Sequence, residues 1–204
     1  MLTKIKNTLA ESRNELNYLT KQKQEVETLL DNEILNLSYI EQAQEFLQEV
    51  AKETQNKLSY HISEFVSSAL ESVWEDDAYS FQLNFVSKRN KTEVEMLLLD
   101  DRGTISLRDL NNVRGGGGVL DVIAFALRIS LWSLQKNKEK LIILDQPFTN
   151  LDNEHLPLAN KLLKEVNEKL GIQIIAINHN PLLDEGNTIY EVYKEEGVSK
   201  VIKK

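Results

Sequence analysis

The first 75 residues contain neither proline nor glycine, and this limits the fold more than any other feature of the chain. Proline removes a helix donor and clashes with the preceding turn, and glycine costs about 1 kcal/mol in a helix interior. A stretch free of both and rich in Glu, Gln, Lys and Leu can run as uninterrupted helix. Apolar residues recur at steps of three, four and seven, from Leu2, Ile5 and Leu9 through Leu30, Leu37 and Leu47 to Ile62 and Phe65. The spacing predicts one or two long helices over 1–75 with a coiled-coil-like seam, which Ser12 and Lys23 interrupt. Seven basic and thirteen acidic residues make the segment a solvated acidic arm. Such a helix must bury its stripe against a partner, and an ordinary helical bundle is the alternative reading.

The pattern changes near Trp74, so 76–204 reads as a separate α/β domain. The stretch FQLNFVSKRNKTEVEMLLLDDRGTISL alternates apolar and polar residues and has turn-like breaks at 87–91 and 100–103, which predicts a three-stranded antiparallel meander. Four glycines follow, Gly115, Gly116, Gly117 and Gly118, and lead into VLDVIAFALRISLWSL, a segment apolar enough to be a buried helix. LIILD and IQIIAI read as buried parallel strands, separated by an amphipathic helix over 152–170 that stops at Gly171. Strand, helix and strand in that order make a βαβ unit. The last segment reads as a hairpin turning at 195–197.

Bulk properties exclude several classes. A net charge of −8 does not advertise a nucleic-acid surface, so any DNA contact must be local or made by an assembly. The short basic clusters, Lys88, Arg89 and Lys91 and then Lys200, Lys203 and Lys204, are of a kind more often solvated than DNA-binding. The absence of cysteine excludes disulfides and thiolate metal sites. The opening residues lack the apolar core of a signal peptide, and no uninterrupted run of about 18 apolar residues suggests a membrane span. A cytoplasmic protein is the expectation.

Three features carry chemistry. LIILDQPFTNLD is an apolar strand that ends in a carboxylate, Asp145. In phosphate-handling α/β folds ligands sit beyond the carboxyl ends of strands, where such a group can hold a nucleotide-bound magnesium. RGGGGVLDVIAFALR is a glycine-rich turn feeding a helix N-terminus, an arrangement that presents backbone N–H groups to an anion. IIAINHNPLL sets His179 just beyond a buried strand, whereas His61 and His155 have no such context. In this order and spacing the three stretches resemble the Walker B motif and D-loop, the signature motif and the H-loop of ABC ATPases. The TNLD ending resembles most the SMC-like coiled-coil ATPases of DNA double-strand-break repair. The resemblance covers about 75–204 and implies an α/β fold, the C-terminal lobe of an ABC-type ATPase head, preceded by a long helical coiled-coil-like arm. It implies ATP and Mg2+ as cofactors, Asp145 on the metal, the residue 146 side chain and His179 in catalysis, and Asp152 coupling two sites across a dimer. It also implies that Gly115, Gly116, Gly117 and Gly118 face the γ-phosphate of a nucleotide held by another subunit. Counted back from Arg128, Gly116 stands where the family usually has serine, and Gly118 stands on the signature glycine.

Two absences qualify this. No glycine is followed by lysine, so the Walker A loop GxxxxGK[ST] is missing and the chain cannot build a nucleotide pocket alone. The residue after the metal-holding aspartate is Gln146, where the family has a glutamate as general base. The resemblance therefore predicts a partial head that needs a Walker A-bearing N-terminal half or another SMC-like ATPase. The head would be inactive alone and dimeric when assembled, and a nuclease and duplex DNA are further partners. The rival is a non-enzymatic decoy that caps a host SMC-like ATPase. A purely structural coiled-coil protein is the third reading.

Overall fold

The computed structural model describes residues 1–75, 79–89, 91–108, 116–136, 139–183 and 186–204, with Thr3 described by its backbone alone. The first helix, α1, runs Leu2–Val73, and the chain divides into two compact units, Met1–Thr54 and Gln55–Lys204. In the first unit the seam residues are open to solvent. Leu16 and Leu47 are 64% and 65% exposed. The hydroxyls of Thr8, Thr20, Thr28 and Thr54 bond the carbonyl four residues back, so these polar side chains sit in helix without an unmade bond.

The second unit is layered α/β. Strands β1 (Ser80–Lys88), β2 (Lys91–Asp100) and β3 (Gly103–Ser106) form an antiparallel sheet in the order β1-β2-β3. Helix α2 (Gly116–Leu134), strand β4 (Leu141–Asp145), helix α3 (Leu156–Leu170) and strand β5 (Gln173–Ile177) follow. The parallel pair β4-β5 aligns Ile143 with Ile175 and Asp145 with Ile177. A 3-10 turn, Pro181–Leu183, leads to the hairpin β6 (Tyr190–Glu195) and β7 (Val198–Lys203). Glu196 and Gly197 both have positive φ, 49° and 84°, the two-residue turn that matches strand twist.

One core unites these layers. Ile62, Val66, Leu70 and Val73 from the end of α1 meet Phe81 and Leu98 of the meander, Val122, Ile129 and others of α2, and Leu156 and Val166 of α3. Helix α2 has the length and composition to cross a membrane, yet Val119, Val122 and Ala126 are fully buried in this core, the pattern of a core helix.

The edge of the meander is closed by side chains. Ser63 and Ser67 of α1 each accept a hydrogen bond from strand β1, from the N–H of Leu83 and of Phe81, both at 2.9 Å, and Ser59 donates to the Leu83 carbonyl. Serines spaced by four lie on one helix face, so this row satisfies groups that an open edge leaves unpaired. Ser63→Ala and Ser67→Ala are each expected to lower unfolding stability by about 1–3 kcal/mol in urea titrations, because a buried N–H loses its acceptor. Unchanged midpoints would mean that water serves the edge equally well.

Two expectations need correction. Helix α3 begins at Leu156, not at 152, because Asp152 uses its carboxylate to cap a turn before the helix and Pro157 stands in the first turn, where a missing N–H costs nothing. Among the described residues, strands β4 and β5 are covered on one face only. Leu144, Ile142 and Ile174 turn into the core, but Ile143 and Ile177 are 64% and 58% exposed on the other face.

Candidate functional site

Strand β4 ends at Asp145, and the turn that follows it is built under strain. Gln146 and Phe148 have φ of 47° and 60°, a region bulky residues rarely adopt. Two contacts hold them there. The Gln146 N–H donates to the Ile177 carbonyl at 2.8 Å, which ties the end of β4 to the end of β5. The Phe148 ring is buried and packs edge-on against Phe125 of α2 at 5.4 Å. Asp145 and Gln146 therefore stand at the same carboxyl edge as His179, two residues beyond Ile177. All three are exposed. His179 is followed by Asn180, whose side-chain oxygen accepts the Leu182 N–H at 3.1 Å and fixes the next turn. Beside His179, the Asn178 Oδ1 atom is buried and has no partner among the described residues.

A second cluster forms where the glycines meet residues 150–152. Gly115 lies outside the described residues. Gly116 opens α2 with φ +68 and has nothing within 4 Å of where a Cβ would sit. Gly117 and Gly118 serve a different purpose. A Cβ on Gly117 would stand 2.7 Å from Asn150 Cβ, and one on Gly118 would stand 3.1 Å from the Asn150 carbonyl oxygen. Missing side chains at 117 and 118 thus let residues 150–151 pack on the start of α2, and of the three described glycines here Gly116 is the one that leaves open space for a ligand. Asp121, in the second turn of α2, secures this contact. Its carboxylate accepts the Asn150 N–H at 2.9 Å and the Asn150 amide at 3.2 Å.

Gly117→Ala is expected to cost about 1–3 kcal/mol through overpacking, despite the roughly 1 kcal/mol that alanine gains over glycine in a helix. Asn150→Gly in the same chain should recover most of the loss, since the clash is with the Asn150 side chain. Urea midpoints of the two variants measure this, and no recovery would place the conflict elsewhere.

Asp152 accepts the N–H groups of Glu154 and His155, both at 3.0 Å, and bonds His155 Nδ1 at 2.7 Å. The His155 side chain, then its backbone N–H, hold the Asp152 carboxyl below its ordinary value of 3.8. His155, without context in the sequence, is thus part of the site's frame. Its signal was present only as a histidine three residues after an aspartate at a helix start.

Among the described residues no group of three or more His, Asp or Glu side chains could hold a metal. Asp145 would bring one carboxylate, which suits magnesium that takes most of its ligands from phosphate and water. Among the described residues, three of the six basic-cluster side chains meet a carboxylate. Lys88 meets Glu95, Lys200 meets Glu195, and Lys204 lies 3.1 Å from Glu191.

No family model matches the chain. A solved chain from work on ATP-driven dimerization and DNA-stimulated activation of SMC ATPases superposes with a TM-score of 0.55 at 19% identity, covering 70% of this chain and 82% of that one. The Smc head domain with an extended coiled coil, bound to the C-terminal domain of ScpA, from Pyrococcus furiosus gives a TM-score of 0.58 at 19% identity over 78% of this chain and 39% of that one. This is the fold of an SMC-like ABC ATPase head, in its C-terminal part. Sequence likeness points the same way. The chain is 36% identical over 78 residues to the DNA double-strand break repair Rad50 ATPase of Nanoarchaeum equitans. That match covers 38% of this chain and 10% of the Rad50 protein.

Proposed function

We propose that this head part supplies one side of an ATP site in an SMC-like ATPase acting in DNA repair or recombination, and that a Walker A-bearing lobe supplies the other. The observation that carries the reading is the gathering of Asp145, Gln146 and His179 at the carboxyl ends of the paired strands β4 and β5. Ligands of open α/β sheets collect at that edge. Asp145 would hold the magnesium of a nucleotide, Gln146 would hold a water by hydrogen bonding, and His179 would donate to a terminal phosphate. The open Gly116 turn would offer backbone N–H groups to a phosphate bound on a second head. Bound magnesium supplies neutralisation of phosphate charge. The open face of β4-β5 supports the need for a partner. Parallel strands are ordinarily covered on both faces, and among the described residues Leu141, Ile143, Ile175 and Ile177 form one exposed apolar face.

The test mixes this chain with a Walker A-bearing lobe of an SMC-like ATPase and measures association with and without ATP and magnesium. Tight ATP-dependent association is expected. Association that ignores nucleotide for every lobe tried defeats the reading. The second reading, a decoy that caps a host ATPase without turnover, is favoured by Gln146, which cannot accept a proton. Loss of the host enzyme's activity on stoichiometric binding would select it over the split enzyme.

A further inference from the structure

Trp74, the first residue after α1, is buried, and its N–H still bonds the Leu70 carbonyl at 2.9 Å. Its ring does two things. It meets Tyr79 edge-on, with centroids 5.8 Å apart. It also lies against the His155 imidazole, with centroids 5.3 Å apart and planes tilted by 33°. That same imidazole bonds the Asp152 carboxylate at 2.7 Å through Nδ1. An ionised carboxylate accepts only, so Nδ1 carries the proton and donates. One side chain therefore joins the end of α1 to residue 152, and all three residues belong to the same compact unit.

The geometry points to His155 as a positioning residue that holds Asp152 in register with the end of α1. The ring is packed on one face by Trp74, which limits its rotation, and the direction of Nδ1–H then fixes where the carboxylate can sit. Asp152 in turn orients the N–H groups of Glu154 and His155 at the start of α3. On the other side, Asp121 grips Asn150. Residues 150–152 are thus clamped twice, once from α2 and once from the end of α1. A rotation or shift of the last turn of α1 would bear directly on the second clamp, through the Trp74–His155 contact. This deepens the proposed ATP-site reading, because it names the route by which the end of α1 would adjust the D-loop-like segment.

The experiment follows the Asp152 carboxyl resonance in the full chain through an acid titration, together with amide hydrogen exchange at Glu154 and His155. Trp74→Leu does not touch Asp152, yet it should raise the Asp152 midpoint toward the ordinary carboxylate value and speed exchange at both amides by about five- to tenfold, the scale of one weakened hydrogen bond. His155→Phe keeps the ring packing, removes the donor and should have the same effect, and adding Trp74→Leu to it should change nothing further. Trp74→Phe restores an aromatic face and should return both readouts toward those of the unaltered chain. If Trp74→Leu leaves the Asp152 midpoint and both amides unchanged in a folded chain, the link is absent. ATP-dependent association of the unaltered chain with a Walker A-bearing lobe is scored separately. Its failure would sink the ATP-site reading while the titration still decides the role of His155.

Discussion

Gln146→Glu is expected to raise ATP turnover by this chain, assembled with a Walker A-bearing lobe, by about 10²–10⁴-fold. The amide of Gln146 can hold a water through hydrogen bonds, but it has no basic oxygen to take the proton as the water attacks. Glutamate has nearly the same shape and restores that capacity. The backbone should accept the change without cost, since the φ of 47° is set by the bond from the 146 N–H to Ile177 and by the buried Phe148 two residues on. A urea midpoint equal to that of the unaltered chain checks that only chemistry has changed. Turnover that stays flat while ATP-dependent association persists would show that residue 146 does not face the attacking water. A large rise would leave the decoy reading without its main support.

Phe148→Ala is expected to be the most destabilising single truncation at the site, at about 3–5 kcal/mol. The ring is 4% exposed and makes an edge-on pair with Phe125 worth about 0.5–1.5 kcal/mol beyond its burial. It also sustains a φ of 60°, a conformation that costs about 1–3 kcal/mol and persists only when packing imposes it. Without the ring, the turn can relax, and Gln146 on one side and Asn150 on the other lose their anchor. Urea unfolding should show the loss of stability, and ATP-dependent association should fall with it under conditions where the variant is still folded. A cost below about 1 kcal/mol would mean that the strained turn is held by its backbone bonds alone.

Much of the fold was legible in local sequence. Helix over Leu2–Val73 followed from unbroken helical composition, though whether as one helix or two did not; the meander followed from alternation, and the stop of α3 at Gly171 from a glycine found there at φ 61°. The motif string around Asp145 marked the candidate site, because a strand ending in a carboxylate is a local pattern. His155 escaped notice for the opposite reason. Its partners are Trp74, 81 positions earlier, and Asp152, and only the first contact tells it apart from an ordinary helix-start histidine. LIILD and IQIIAI read as buried strands, and one face of each is instead exposed. An apolar run records that a face wants cover and says nothing of whether the same chain provides it.

The sequence by itself determined the element order, the missing Walker A loop and the amide at 146, since each is a matter of which residues stand next to one another. Only the tertiary structure decided how the glycines are used. Four in a row suggested a cradle open to phosphate, but Gly117 and Gly118 are filled from the far side by Asn150 and Leu151, and among the three described glycines of the run Gly116 faces open space. The physical reason is distance along the chain. A missing Cβ makes room for whatever approaches, and here that is a segment more than thirty residues away, brought in by the packing of Phe148 on Phe125 and held by Asp121.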